Sequence, residues 1–296
     1  MDAKVDYEPR ARRVPLPSRG GQMAVLDFGP AERPVDLIFS HANGFNARTY
    51  RSILAPLASD LRILAVDMRG HGATTLPTVI ENRNAWNEFR DDLVALLELL
   101  DAPPVVLSGH SMGGTTCLLA EAVAPRYARR LVLFDPVIMP REMVEGREAT
   151  NLAESPLAQG ALRRRAVFES REAVMAAYRG RGAFRTWNEA QLADYVTAGF
   201  HDRPEGGVEL ACAPAWESSN FASHGHDSWG AFHAGRAPVR IFRATEGSTC
   251  RLDGYEAELA AIGRVSVETV PGTSHFLPME RPELVREALL AAVRGG

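Results

Sequence analysis

The residues best suited to chemistry lie in one short run, Ser108-Gly109-His110-Ser111-Met112-Gly113-Gly114. It contains Gly-X-Ser-X-Gly, follows an apolar run at 105–108 (VVLS) and opens a helical pattern. In that context the motif predicts a sharp strand-to-helix turn that strains the backbone of Ser111 and lifts its hydroxyl above the strand ends. Gly109 and Gly113 leave room for strand and helix to pack closely, and the helix N-terminus turns partial positive charge toward a developing anion. A serine hydroxyl is a weak nucleophile near neutral pH and needs a base. Among eight histidines, His275 is best placed. It follows the last predicted strand, in Val270-Pro271-Gly272-Thr273-Ser274-His275-Phe276, and precedes the C-terminal helix, at the same sheet end as Ser111. His110 sits inside the turn, while His41 and His71 fall in loops after strands and read as braces.

The elements that must position these groups are legible as short apolar runs. Residues 35–40 (VDLIFS), 62–67 (RILAVD), 105–108 and 131–135 (LVLFD) are continuous rather than alternating, as expected of central parallel strands covered on both faces. Helical patterns at 48–58, 88–100 and 112–124 lie between them. In 88–100, Phe89, Leu93, Leu96, Leu97 and Leu100 form one apolar stripe. The alternation predicts an α/β fold with right-handed crossovers. Residues 13–16 and 23–28 read as a hairpin at a sheet edge. After residue 236 the alternation resumes at 239–244, 255–262, 264–270 and 282–293. Between them the strand signal disappears: 160–169, 170–178 and 189–199 read as helices, and 201–235 as loops rich in Pro, Gly, His and Ser. The expected organisation is a core over 1–136 and 237–296, with a helical insertion over 137–236 forming one wall of a ligand pocket.

Composition narrows the function classes. The 296 residues are 46% hydrophobic and 24% charged, with a net charge of -4 from 33 basic and 37 acidic residues. That balance offers no basic field for nucleic acid. Three scattered cysteines suit neither a disulfide framework nor a structural zinc site. The first ten residues lack the apolar core of a signal peptide, and the longest apolar runs fall far short of the roughly 20 residues needed to span a bilayer. The expectation is a soluble, cytoplasmic protein with a small molecule as its partner. His224-Gly225-His226-Asp227, with His233, reads as polar loop contacts rather than a metal site. No metal or cofactor is therefore expected. Arg163-Arg164-Arg165 reads as a solvated helix face. Trp187, Trp216, Phe221 and Trp229 read as core of the insertion, with one or two free to line a pocket. Cys117 reads as buried packing.

With His41-Ala42-Asn43-Gly44-Phe45, Asp67-Met68-Arg69-Gly70-His71-Gly72, Gly109–Gly114 and Gly272–His275 in view, the chain resembles the α/β-hydrolase superfamily over nearly its full length. The resemblance implies a mostly parallel eight-stranded sheet flanked by helices, with a helical cap inserted after the sixth strand. It also implies a catalytic acid, usually an aspartate after the seventh strand. Here that loop reads Arg243-Ala244-Thr245-Glu246-Gly247-Ser248-Thr249, with no aspartate before Asp253. The other family position is the end of the sixth strand, as in some haloalkane dehalogenases, and Asp135 occupies it. Asp135 ranks first as the acid, ahead of Glu246 and Asp253. The family's oxyanion hole implies backbone N–H donors from Met112 and from Asn43, with Phe45 as runner-up; Ala42 stands where the family usually has glycine. The implied activity is hydrolysis of small or medium carboxylic esters through an acyl-enzyme. Alternatives are carbon–carbon bond hydrolysis of a β-diketone-like compound and a non-catalytic small-ligand receptor on the same fold.

Overall fold

The computed structural model describes residues 8–100, 103–145 and 152–295. The charged N-terminal stretch considered above lies largely outside the described residues. The chain opens with a hairpin of β1 (Arg10–Leu16) and β2 (Gly21–Phe28). Its short connection ends at Gly20, whose φ of 78° suits a residue without Cβ. Then come β3 (Leu37–Ser40), β4 (Ile63–Val66), β5 (Val105–His110) and β6 (Ala128–Phe134). The apolar runs at 35–40, 62–67, 105–108 and 131–135 thus become the four central strands.

After β6, three short strands appear: β7 (Val167–Phe168), β8 (Phe200–Asp202) and β9 (Val208–Leu210). β10 (Val239–Glu246) and β11 (Val265–Ser274) return to the main sheet. That sheet has eight strands in the order β1-β2-β4-β3-β5-β6-β10-β11. β1–β2 and β2–β4 pair antiparallel, and every pairing from β4 to β11 is parallel.

Each face of the sheet is covered by helices whose apolar residues recur at three- and four-residue steps. Helix Asn87–Leu100 buries Phe89, Leu93, Leu96 and Leu97, and Met112–Val123 is buried along most of its length. Helix Pro282–Arg294 buries Val285, Ala288, Leu289 and Ala292 on the opposite face, beside Ile53 and Leu54. Fully burying one such leucine contributes about 1.5–3 kcal/mol, so these stripes fix where each strand end lies.

The segment between β6 and β10 departs from the sequence reading in two ways. It is not wholly helical, because β7, β9 and β8 form a three-stranded antiparallel sheet. Strands of two or three residues are too short to display an alternating pattern, so 160–169 read as one helix. The helix ends at Leu162 and β7 follows. Second, residues 201–235 contain two helices, Pro214–Ala222 and Ser228–Ala234. Their Ser, Asn, Gly and His content hid them, although Pro214 at the first helical turn and Asp227 as an N-cap, accepting from Gly230 N–H at 2.7 Å, are ordinary start signals.

The crossing of β5 and the following helix tolerates no side chain at its glycines. A Cβ on Gly113 would lie 2.2 Å from the Ser40 carbonyl oxygen, and one on Gly109 would lie 2.5 Å from the Gly113 carbonyl carbon. Both obstacles are backbone and cannot rotate away. Gly113→Ala is therefore expected to lower the unfolding free energy by about 1–3 kcal/mol or more, read by urea denaturation. An unchanged midpoint would contradict the close approach of helix and strand.

Candidate functional site

Ser111 stands between β5 and helix Met112–Val123 with φ 55° and ψ -123°. A non-glycine residue there is strained and persists only where its surroundings hold it. Ser111 N–H donates to Phe134 O at 3.0 Å, and Ser111 O accepts from Thr115 N–H at 3.1 Å. Ser111 is buried, 6% exposed, and its Oγ lies 3.0 Å from His275 Nε2. His275 Nδ1 lies 2.7 Å from Asp135 Oδ2. Since the carboxylate can only accept, Nδ1 carries the proton and Nε2 is free to accept from the serine hydroxyl.

Asp135 follows β6 with φ 41° and is fully buried. Its carboxylate takes four donors. Oδ1 accepts from Ala244 N–H at 2.9 Å and Ser248 Oγ–H at 2.6 Å; Oδ2 accepts from Thr249 N–H at 3.1 Å and His275. Burial pushes its pKa up most strongly, but the hydrogen bonds and charge of His275 and the Ser248 and Ala244 donors together outweigh it and hold the carboxyl below its ordinary range. The loop after β10, where the resemblance implied an acid, instead supplies donors to the carboxylate that follows β6. Sequence reasoning missed Ser248 and Thr249; the signal was two hydroxyl residues in an acid's usual place. Glu246 and Asp253 are not brought to His275. Glu246 is exposed at the end of β10, and Asp253 pairs with Arg243 at 3.0 Å.

The loop after β3 faces this group. Ala42 N–H donates to Tyr50 Oη (3.2 Å), Gly44 N–H to His71 Nε2 (3.0 Å) and Phe45 N–H to Ala42 O (3.1 Å). The Asn43 side chain is clamped as well: Nδ2 donates to Glu217 O at 3.0 Å, and Oδ1 accepts from Asn220 Nδ2 at 2.7 Å. Among the described residues no internal acceptor takes the backbone N–H of Asn43 or of Met112, the first residue of its helix.

Three loops are joined by a relay through His110. Tyr50 Oη accepts from Ala42 N–H and lies 2.7 Å from His110 Nδ1, while His110 Nε2 lies 2.7 Å from the His275 carbonyl oxygen. That carbonyl can only accept, so Nε2 carries the proton and Nδ1 accepts from the tyrosine. His41 and His71 act as the braces expected. Met68 N–H donates to His41 Nε2, and His71 bridges Gly44 N–H to Arg69 O.

Around Ser111 lies a cavity of about 620 Å³, within the usual range for small-molecule sites. Trp86, Val137, Met139, Phe221 and Phe276 give it apolar walls, and helices Pro156–Leu162 and Pro214–Ala222 contribute to its lining. Arg164 corrects the sequence reading. It lies beyond the end of helix Pro156–Leu162 and lines this cavity, bonding Glu217, Tyr195 Oη at 2.8 Å and Tyr178 Oη at 3.3 Å. Three acceptors on three helices drew it inward, a tertiary effect invisible in an arginine triplet. The histidine-rich run is dispersed: His226 stacks on Trp86, His224 lines the cavity, Asp227 caps a helix and His233 bonds Glu258.

Tyr50→Phe removes the partner of both Ala42 N–H and His110 Nδ1. An unmet buried polar group costs about 1–3 kcal/mol, so unfolding free energy should fall by about 2 kcal/mol or more at pH 7. A loss below about 0.5 kcal/mol would show that both groups find other partners.

The buried histidines set an acid limit on stability. Burial lowers His71 and His224 to about 4, His110 and His226 to about 3, and His41 well below its ordinary value. Each binds a proton in the unfolded chain below about pH 6.5 but not in the native one, so stability is lost as pH falls through that range. Asp67 opposes this. Burial raises it to about 6, so the native carboxyl gains a proton before the unfolded one does. The histidines outnumber it, and stability in urea at pH 5.5 should be a few kcal/mol below that at pH 7. A flat profile would mean that these rings protonate in place.

A family model described as the alpha/beta hydrolase family matches residues 37–288. A 2-(acetamidomethylene)succinate hydrolase of Mesorhizobium japonicum is 27% identical over 260 residues, 86% of each chain. Other curated relatives, such as one 32% identical over 94 residues, are matched over about a third of their length. The solved structure of an E-2-(acetamidomethylene)succinate hydrolase superposes with a TM-score of 0.75 at 22% identity, over 97% of this chain and all (100%) of that one. A hypothetical protein of Pseudomonas aeruginosa superposes at 0.70 with 25% identity, over 97% and 99%. Among the described residues no helix is long and apolar enough to cross a membrane. By the family match, and in keeping with the sheet already described, the chain belongs to the alpha/beta hydrolase family.

Proposed function

We propose that the protein is a serine hydrolase that cleaves a small acyl compound through an acyl-enzyme on Ser111. The observation that carries this reading is the alignment of Ser111 Oγ, His275 and Asp135 at 3.0 and 2.7 Å beside the cavity. His275 Nε2 takes the serine proton as Oγ attacks the carbonyl. Asp135 keeps Nδ1 protonated and stabilises the imidazolium. The N–H groups of Asn43 and Met112 receive the oxyanion, each such donor being worth about 3 kcal/mol in the transition state. The pairing of Phe45 N–H with Ala42 O favours Asn43 over Phe45 in that role. His275 then protonates the leaving group, and afterwards activates water to release the acid. Residues 137–236 act as a cap over a core formed by 1–136 and 237–296. The size and largely apolar lining of the cavity suit small or medium substrates.

The scissile bond is better read as something other than a simple ester. The relative at 27% identity is named for a substrate that carries an acyl group on nitrogen and no ester. This favours a non-ester leaving group, carbon as in a β-diketone or nitrogen as in an N-acyl compound, over the carboxylic ester suggested by sequence alone. The same groups serve each case: His275 protonates the departing carbanion or nitrogen as it would an alkoxide.

The test compares turnover of 4-nitrophenyl esters, ring-fission β-diketones and N-acyl enamino acids. Ser111→Ala should abolish turnover of all three. Asp135→Asn should lower kcat by about 10⁴-fold, while Glu246→Gln leaves it within about twofold. Turnover by Ser111→Ala equal to that of the unaltered protein would refute the nucleophile. A carbon or nitrogen substrate should outpace the best ester in kcat/KM; the reverse order restores the ester reading.

A further inference from the structure

The charges lining the cavity point to a substrate class. Among its lining residues the charged side chains with fixed sign are Arg164, Glu217 and Arg251. Arg164 and Glu217 answer one another, and the remaining Arg164 donors go to Tyr195 and Tyr178. Glu217 is in turn packed against Gly44, where a Cβ would lie 2.4 Å from Oε1. This pair is built into the wall and contributes no net charge.

Arg251 differs. Its backbone N–H is fixed to Ile138 O at 2.9 Å, and the neighbouring Cys250 bridges Ile138. Among the described residues its guanidinium has no carboxylate or other acceptor, and it is exposed to solvent. Two residues earlier, Thr249 donates to the Asp135 carboxylate and lies 3.4 Å from His275 Nδ1. A cation without an internal partner among the described residues is thus anchored by its backbone on the Asp135 side of His275 and lines the same cavity.

We propose that Arg251 reads a carboxylate on the substrate, set apart from the carbonyl that Ser111 attacks. The planar fork of arginine matches a carboxylate through two parallel hydrogen bonds, which lysine cannot reproduce. The rest of the wall is largely apolar and its one fixed ion pair carries no net charge, so a neutral acyl chain gains nothing from Arg251, whereas an anionic one gains both charge and orientation. The inference deepens the hydrolase reading and uses its site, but the cation's placement stands whatever bond is cleaved.

The experiment pairs mono-4-nitrophenyl adipate with 4-nitrophenyl hexanoate, alike in length and differing in one carboxylate. In Arg251→Gln the ratio of kcat/KM for the charged to the neutral ester should fall about tenfold or more, mainly through KM. Arg251→Lys should recover part of that loss. Arg243→Gln, which removes an arginine paired with Asp253 outside the cavity, should leave the ratio unchanged and so exclude long-range steering. Succinate binding, measured by calorimetry, should weaken by a similar factor in Arg251→Gln. Equal effects on both esters, or unchanged succinate binding, would overturn the proposal. If no ester is turned over, the hydrolase reading is what suffers; succinate binding then decides the carboxylate site alone, Arg251-dependent affinity supporting it and Arg251-independent affinity or no binding overturning it.

Discussion

The site depends on one imidazole held by both its ring and its backbone. The ring of His275 is fixed by Asp135 at Nδ1, which leaves Nε2 toward Ser111. Its carbonyl is fixed by His110, whose other nitrogen answers Tyr50 and, through it, Ala42. Every partner in this chain has a forced direction, because a carbonyl and a carboxylate accept and a backbone N–H donates. Burial keeps His110 neutral, with a pKa near 3, so the relay does not reverse within the ordinary pH range. A histidine in the turn after β11, far from Ser111 in sequence, is thereby held through both its ring and its backbone.

That order coexists with local strain. Among the described residues, the non-glycine positions with positive φ are Asn82, Ser111 and Asp135. Two of these three belong to the site. Each costs on the order of 1–3 kcal/mol, and each is met by fixed partners. Ser111 is bound at both its N–H and its carbonyl. Asp135 N–H donates to Phe242 O at 2.7 Å, and its carbonyl accepts from Thr249 Oγ1 at 3.2 Å. The strain places both side chains at the carboxyl edge of the sheet, where successive residues of an unstrained strand would point to opposite faces. Gly109 and Gly113 let the helix approach closely enough to hold the turn.

Much of this was legible in sequence because it is local. The strand–Gly-X-Ser-X-Gly–helix run states the turn, and continuous apolar stretches state buried parallel strands. His275 was legible from its position after the last strand. Tertiary partnerships were not. The inward turn of Arg164 is decided by Glu217, Tyr178 and Tyr195, which are distant in the chain. The strands β7, β8 and β9 are too short for periodicity. The role of Ser248 and Thr249 requires knowing that β6 and β10 are neighbours, which the eight-stranded order supplies. With β10 beside β6, the loop after β10 lies close enough to donate to the carboxylate that follows β6, while Glu246 at the end of β10 itself faces solvent.

The helix Pro214–Ala222 carries the same logic into the segment above the sheet. Its Glu217 carbonyl and Asn220 amide grip both ends of the Asn43 side chain, and Trp216 Nε1 donates to Arg69 O at 3.0 Å. The helix thus bonds to two loops at the carboxyl edge, one after β3 and one after β4. Moving it would expose buried polar groups on both loops, each at a cost of about 1–3 kcal/mol, so this side of the cavity is coupled to the core. Helix Pro156–Leu162 lines the cavity under different constraints. It carries exposed Leu157 and Leu162, and its N-cap is the local Ser155 hydroxyl. Polar bonds therefore fix the wall beside Asn43, while the wall formed by Pro156–Leu162 rests chiefly on packing against Pro214–Ala222. Changes in substrate size are accommodated at least cost on that second wall, where van der Waals contact can be remade without breaking a buried hydrogen bond.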